Sequence, residues 1–158
     1  MTEKMYKEQK TMERNETDIK ILQALLEDAR FSSRQIAKKV GVSVGTVLAR
    51  IKKMEREGII KNYAALLDHE KLGYQLTVVT EITVSKGRLV ETEKEIAKIP
   101  NICSVYDVTG LTDAVIIAKF KGREELGQFT KRLLALPYIE RTNTHVVLST
   151  VKEDFRLL

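Results

Sequence analysis

The sequence predicts an α+β protein made of an N-terminal helical bundle and a C-terminal ferredoxin-like βαββαβ domain. Two changes along the chain support this division. The apolar spacing is that of helices up to about residue 60, and it alternates between strands and helices from Gln75 onward. The charge is also uneven, because residues 1–65 hold 14 Lys and Arg against 9 Asp and Glu (14 − 9 = +5), whereas residues 66–158 hold 13 of each. A polyanionic partner is therefore expected at the N-terminal end.

Four segments are predicted along the chain. Residues 1–14 are polar and mixed in charge, which is typical of a flexible arm. Residues 15–60 are predicted to form a helix-turn-helix domain, residues 61–73 a linker strand or hinge, and residues 74–158 the sheet domain. Because the first part of the linker is apolar and β-prone, it is expected to pack against another domain or another subunit.

The N-terminal domain is predicted to contain three helices. The first begins after Asn15, whose side chain suits the cap position. The second begins with a capping box at Ser32, and Gly41 then supplies the positive φ for a tight turn. Ser43 caps the third helix, which is predicted to end near residue 57.

The third helix has a buried side and a basic side. Apolar residues at spacings of three and four are predicted to face the core, and they are Val44, Val47, Ile51 and Met54. The opposite side combines small residues near the helix start with cations further along, which suits close approach to the major groove of DNA. A solvated basic helix in an ordinary bundle is the structural alternative. The predicted DNA contacts are Ser43, Gly45, Thr46, Ala49, Arg50 and Lys53, with Arg34 and Lys39 as phosphate contacts.

Three of these residues are predicted to reach into the groove, namely Thr46, Arg50 and Lys53. Arg50 also has a structural alternative, because its neighbour Ile51 is predicted to be buried. In that alternative, Arg50 pairs with Glu57 or with an acid of the first helix.

The C-terminal domain is predicted to follow the order βαββαβ, with two matched halves. The only prolines, Pro100 and Pro137, each follow a predicted helix and precede a strand. Helices on one face would leave the other face of the sheet open for dimerisation. The predicted elements are Gln75–Val84, Arg88–Ile99, Ile102–Thr109, Ala114–Phe120, Arg123–Leu136 and Ile139–Val151.

Composition argues against several classes of protein. A single cysteine, Cys103, precludes an internal disulfide and is expected to be a small buried strand residue. With only two histidines, no cluster has the spacing of metal ligands, and no nucleophile with a base is apparent. No apolar run is long enough to span a membrane, and the N-terminus lacks a signal core. The protein is therefore expected to be cytoplasmic, without catalytic residues or a metal.

The turn at Gly110–Asp113 has two interpretations. Gly110 would let backbone amides approach a ligand carboxylate, and Asp113 could accept hydrogen bonds from an ammonium group, which together suit a free amino acid. Alternatively, the turn is only a hairpin, with Gly110 at positive φ and Asp113 bonded to the local backbone. The residues alone leave both interpretations open.

With both halves placed, residues 15–155 resemble the leucine-responsive regulatory protein/AsnC family of transcription regulators, also called feast/famine proteins. The resemblance implies an amino-acid-sensing C-terminal domain that forms dimers and often octamers. It also implies an effector site, which would comprise Gly110, Leu111, Thr112, Asp113 and, less strongly, Thr144. The stretches that carry the resemblance are 18–22, 36–51, 58–60, 108–113 and 142–148.

We therefore predict a sequence-specific DNA-binding transcription regulator and not an enzyme. The predicted partners are double-stranded DNA with a pseudo-palindromic operator, further copies of the chain as a homodimer or octamer, and an amino-acid effector in place of any cofactor. The alternative function is an architectural protein that binds DNA with little sequence preference.

Overall fold

A computed structural model describes residues 15–158, and the predicted arm at residues 1–14 lies outside the described residues. The described chain forms two compact units. One runs through Leu66 and includes Asp154–Leu158, and the other is Leu67–Glu153. Within residues 15–158, no helix has the length and apolar character needed to cross a membrane.

The N-terminal unit contains the three predicted helices. They are α1 (Glu16–Glu27), α2 (Ser33–Val40) and α3 (Val44–Arg56). Ile21, Ile36 and Val47 are fully or almost fully buried where the helices meet, and Met54 closes the same core. Val44 was wrongly predicted to be buried. It is 37% exposed, because it lies at the start of α3, where the other helices do not contact it fully.

The helix ends form as predicted. Asn15 Oδ1 accepts from the Thr17 amide at 2.9 Å, and Ser32 Oγ accepts from the Gln35 amide at 3.3 Å. Gly41, at φ 78°, takes the left-handed conformation that closes α2, a conformation that side chains with a Cβ rarely adopt. The short turn that follows sets α3 across α2 as a helix-turn-helix.

The segment predicted as a linker strand has no regular strand. Residues 61–68 have no regular secondary structure, and residues 69–73 form turns. A strand requires a hydrogen-bonded neighbour, and within the described chain none pairs with this segment. The segment is held locally, since Tyr63 donates to Glu55 on α3 at 2.9 Å. Burial, followed by this hydrogen bond, raises the pKa of Tyr63 to about 12.

The C-terminal unit has the predicted βαββαβ order. Its elements are β1 (Leu76–Val84), α4 (Leu89–Ile96), β2 (Ile102–Asp107), β3 (Ala114–Phe120), α5 (Arg123–Leu134) and β4 (Ile139–Val146). The strands lie in the order β2-β3-β1-β4, and all neighbours are antiparallel. The last strand is shorter than predicted, because Val146 pairs with Val78 and β1 begins only two residues before that.

One face of this sheet is covered by the helices. Ile82, Ile116 and Phe120 pack against Ile96 and Phe129 in a single core. The opposite face carries alternate strand residues, which include Val79, Glu81, Ile117, Asn143 and His145. Within the C-terminal unit, no helix covers this face, as the sequence predicted, although Lys119 at one end of it is buried.

Cys103 was wrongly predicted to be buried. Its side chain is exposed, because a register shift between Ile102 and Ser104 interrupts the pairing of β2 with β3 at this residue. Partial burial of the thiol nevertheless raises the pKa of Cys103, which keeps it protonated near neutral pH.

Candidate nucleic-acid interface and effector turn

The exposed side of α3 begins with small residues. Gly45 lies in the first turn, and a Cβ added there would meet only Ser43 Oγ, at 3.8 Å. The fold thus leaves room for alanine, which forms helices better than glycine by about 1 kcal/mol. Packing within the described chain therefore does not require a glycine at this position. Ala49 is also exposed, one turn further along.

The hydroxyl groups at the start of α3 are engaged in capping. Ser43 Oγ accepts from the Thr46 amide at 3.1 Å and lies 2.9 Å from Thr46 Oγ1. Each hydroxyl retains further hydrogen-bonding capacity, because an O–H group offers one donor and two lone pairs. Ser43 and Thr46 are therefore held in fixed positions at the end of the helix that would enter a groove.

Arg50 adopts the alternative predicted for it. Its Nη1 lies 3.4 Å from Asp18 Oδ2 on α1, and the Asp18 side chain is only 6% exposed. Removing one partner of a buried pair costs roughly 3–5 kcal/mol, whereas a good bidentate base contact contributes about 1–3 kcal/mol. Because the Arg50 side chain is 32% exposed, the cost of breaking this pair lies at or below the lower end of the range for a buried pair. A base contact would therefore have to offset a comparable loss. Glu57, the other partner considered, lies 4.0 Å from Lys53 instead.

The predicted phosphate contacts differ in availability. Lys39 pairs with Glu27 on α1, with 46% of the lysine side chain exposed. Arg34 is exposed, and no ion pair involves it within residues 15–158. Three further cations of α2 and α3 are likewise exposed and form no ion pair within residues 15–158, namely Lys38, Lys52 and Arg56. These four side chains are free to meet a polyanion without first breaking an ion pair.

Two exposed residues of α3 were not predicted as contacts. Leu48 is 46% exposed and Val44 is 37% exposed, and their spacing of four residues places them on one side of the helix. Val44 was assigned to the core, and Leu48 was given no role. A helical projection would have identified Leu48 as exposed, since it lies about 100° from Val47 and about 120° from Met54, the two buried residues of α3.

In the C-terminal unit, the turn between β2 and β3 contains the predicted effector residues. Gly110 has φ 130°, and Leu111 is 96% exposed. Asp113 Oδ2 accepts from the Val84 amide at 2.8 Å, where the pairing of β1 with β4 shifts register. The carboxylate thus has a structural role, but it bonds the backbone of β1 and not, as the hairpin interpretation expected, the local backbone of the turn. No side-chain hydrogen bond involves Oδ1 within residues 15–158.

Thr144 is not directed towards this turn. Its hydroxyl lies 3.0 Å from that of Thr80, which is fully buried on the helix-covered face of the sheet. A separate polar cavity of about 250 Å³ includes the buried Lys119 and the partly buried Thr77 in its lining. Lys119 and Thr77 lie at the end of the β1–β3 ladder away from Asp113. Lys119 is already paired with Glu153 at 2.9 Å, so this cavity does not leave a cation without a partner.

Comparison with known proteins matches one family model to each half of the chain. A family model described as winged helix-turn-helix DNA-binding matches residues 14–61, and one described as the Lrp/AsnC ligand binding domain matches residues 77–157. The two matched ranges cover α1 to α3 and the sheet domain, respectively.

Individual relatives match over almost the whole chain. An uncharacterized HTH-type transcriptional regulator of Pyrococcus furiosus is 48% identical over 146 residues, which are 92% of this chain and 99% of that protein. The HTH-type transcriptional regulator FL11 of Pyrococcus horikoshii is 36% identical, over 90% of this chain and 95% of that protein. A crystal structure of a transcriptional regulator of Neisseria meningitidis in complex with L-Met has a TM-score of 0.84 at 28% identity, covering 91% and 96% of the two chains.

Proposed function

This chain belongs to the Lrp/AsnC family of helix-turn-helix transcription regulators, and we propose that it recognises a pseudo-palindromic operator as a homo-oligomer under the control of an amino acid. The family consists of transcription regulators and not of enzymes. Within this proposal, α3 enters the major groove, and the C-terminal domain binds the effector and joins subunits. The proposed location is the cytoplasm.

The exposed side of α3 is the observation that carries the DNA-binding part. It combines Gly45, which the fold does not require, with Ala49 and with Lys52 and Arg56, two cations that form no ion pair within residues 15–158. Small residues permit close approach to base edges, while cations neutralise phosphates. We assign groove contacts to Gly45, Thr46, Ala49 and Lys53 with Ser43 at the helix start, phosphate contacts to Arg34 and Lys39, and a supporting position at Asp18 to Arg50.

Selection of binding sites from a random DNA pool tests the sequence specificity. We expect a pseudo-palindrome whose half-sites lie about 34–36 Å apart, or a multiple of that distance, since a two-fold dimer presents two copies of α3. Thr46→Ala should change the selected sequence, whereas Arg34→Ala should weaken binding to all duplexes and lower the salt slope by about one. Equal affinity for selected and random duplexes at physiological salt would instead support the architectural alternative.

The effector part of the proposal rests on the turn at Gly110–Asp113 and on the family's ligand-binding domain. The backbone at Gly110 has the freedom to approach a carboxylate, and Asp113 Oδ1 is available to an ammonium group. Leu111 and Thr112 would then contact the ligand side chain. Because Leu111 is 96% exposed, a complete pocket requires a second subunit to cover the turn.

Calorimetric titration with the twenty amino acids tests the effector site. Asp113→Asn is the informative variant, since its amide oxygen can still accept from the Val84 amide while the charge is lost. We expect at least one amino acid to bind the wild type. The same amino acid should bind Asp113→Asn with an affinity at least about tenfold lower, because a charge-assisted hydrogen bond is lost. Binding that is unchanged in Asp113→Asn would leave the turn with a structural role only.

A further inference from the structure

We propose that Val44 and Leu48 form an apolar strip on α3 that contacts thymine methyl groups in the major groove, with Leu48 as the main specificity-determining side chain. The inference rests on the DNA-binding role proposed above. It adds two residues that were not among the predicted contacts, and it names the chemical group that they would contact.

The core of the N-terminal unit does not require Val44 or Leu48. Leu48 is 46% exposed and Val44 is 37% exposed, while the buried side of α3 is supplied by Val47 and Met54. Single exposed apolar residues are common on protein surfaces and need no explanation. Here, however, two of them lie one helical turn apart at the start of the helix that is proposed to enter the groove.

The residues around the strip are suited to contact with DNA. Gly45 directly follows Val44, and Ala49 directly follows Leu48, so both apolar side chains have a small neighbour that does not hold a partner away. Lys52 lies one turn beyond Leu48 on the same side, and no ion pair involves it within the described chain. An apolar strip beside a free cation is complementary to a groove that presents methyl groups next to phosphates.

The bases of DNA present an apolar group that suits this strip. The C5-methyl of thymine is the apolar group that the major groove presents, and it is contacted by aliphatic side chains. Residues near the N-terminus of a recognition helix are the ones that reach base edges. Leu48 lies five residues after the cap Ser43, so it is within this part of α3. The neighbouring Arg50 is held at Asp18, which leaves more of the discrimination to residues on this side.

The test uses the full chain and an operator selected by the wild type from a random pool. Each thymine of the operator is replaced singly by deoxyuridine, which removes only the methyl group and keeps the hydrogen-bonding edge. We expect a loss of affinity of roughly fourfold at one or two positions in each half-site, as for one methyl-sized group that is no longer buried. In Leu48→Ala, the deoxyuridine penalty should disappear at the position where the wild-type penalty is largest, because Leu48 is the main contact.

A matched control is Leu134→Ala, which truncates another exposed leucine, 52% exposed, on a helix of the C-terminal unit. It should keep the full wild-type penalty for deoxyuridine. The inference is overturned if the penalty persists in Leu48→Ala, if no deoxyuridine affects the wild type, or if the selected half-sites contain no thymine. It is also overturned if Leu48→Ala changes the mass of the oligomer and leaves operator binding unchanged, since the strip would then contact protein. Failure of the wild type to bind any duplex would instead refute the proposed function itself.

Discussion

At the scale of single residues, the pair formed by Asp18 and Arg50 decides how α3 is held. Asp18 is 4% exposed, and its Oδ1 is buried with no hydrogen-bond partner among residues 15–158. A buried carboxylate is costly unless a cation compensates it, and Arg50 is the cation within reach. Arg50 thus stabilises the position of α3 against α1, and this role accounts for its orientation without DNA.

We predict that Arg50→Met destabilises the protein because it leaves the carboxylate of Asp18 without a cation. The loss should lie at or below the lower end of the roughly 3–5 kcal/mol found for buried pairs, since the Arg50 side chain is 32% exposed. Adding Asp18→Leu should recover part of the stability. Denaturant unfolding of the full chain measures both changes.

Lys53→Met is the control for this prediction. Lys53 lies on the same helix, but its pair with Glu57 is exposed and long, at 4.0 Å, so the loss should be within about 1 kcal/mol. If Lys53→Met and Arg50→Met destabilise the protein equally, the ion pair with Asp18 has no special role.

Glu93 on α4 leads to a prediction of pH dependence. Its Oε1 is buried, and no group in the described part of the chain forms a hydrogen bond with it. Burial, together with the nearby Asp107, raises the pKa of Glu93 above the ordinary value of 4.5. Below that value, the carboxyl is protonated in both the folded and unfolded chains, and it causes no loss. As the pH rises, the unfolded chain releases the proton more readily than the folded chain, so stability decreases.

Glu93→Gln should therefore melt at a higher temperature than the wild type near neutral pH, and the difference should disappear in acid below the ordinary pKa of 4.5. Thermal unfolding across this pH range is the measurement. Glu91→Gln, on the same helix but exposed and paired with Arg88 at 3.0 Å, is the control and should bring no such gain. A Glu93→Gln difference that is independent of pH would argue against the raised pKa.

At the scale of elements, α3 has two requirements that oppose each other. Helix stability favours alanine over glycine at position 45, and the structure has space for it. Close approach to DNA favours glycine, since even one methyl group keeps a backbone further from a base edge. The presence of Gly45 indicates that approach is the stronger requirement within the proposed function.

We predict that Gly45→Ala stabilises the protein by up to about 1 kcal/mol and weakens operator binding. Thermal unfolding and a binding titration on the selected operator measure the two effects. Gly127→Ala in α5 is the matched control, because a Cβ there would meet nothing within 4 Å, and one at Gly45 would make only an ordinary contact at 3.8 Å. It should stabilise the protein similarly and leave operator binding unchanged. Undiminished operator affinity in Gly45→Ala would remove the reason given for this glycine.

At the scale of the whole molecule, each unit has its own core, and the sheet of the C-terminal unit has one uncovered face. That face carries the partly buried Val79 beside a polar cluster. There, Asn143 donates to Glu81 at 3.1 Å and lies 3.0 Å from His145. A face with both apolar and hydrogen-bonding groups is suited to a two-fold contact with a second copy of the chain.

We predict that the full chain is dimeric or larger in solution and that Val79→Asp lowers its mass, since a charge would be buried in the proposed contact. Light scattering coupled to size exclusion is the measurement. Val90→Asp is the control, because Val90 is 63% exposed on α4, on the helix-covered side of the sheet. The Val90→Asp variant should have the same oligomer mass as the wild type. An unaffected mass for Val79→Asp would place the subunit contact elsewhere.

A fragment that contains only residues 70–158 should likewise be dimeric or larger. Residues 15–69 should be monomeric and weak in DNA binding, since the gain from two linked half-sites is lost. Light scattering and operator titration of the two fragments measure this. A monodisperse monomer for residues 70–158 would contradict the proposed dimerisation through the sheet.

The sequence by itself determined the features that depend on neighbours along the chain. Helix caps at Asn15, Ser32 and Ser43 and the turn at Gly41 follow from local hydrogen bonding and backbone conformation, and all were predicted. The order of strands and helices in the C-terminal domain follows from apolar periodicity, and it was also predicted. These signals lie within a few residues of the structure that they specify.

Only the tertiary structure decided the features that depend on residues distant in sequence. Asp18 and Arg50 are 32 positions apart, so the burial of the carboxylate and its pairing could be considered but not established from the chain. The role of Asp113 at Val84 and the exposure of Cys103 depend on strand register, which is set by contacts across the sheet. The exposure of Leu48 likewise depends on how far α1 and α2 cover α3. Packing between distant segments determines which side chains remain available, and local periodicity does not encode that outcome.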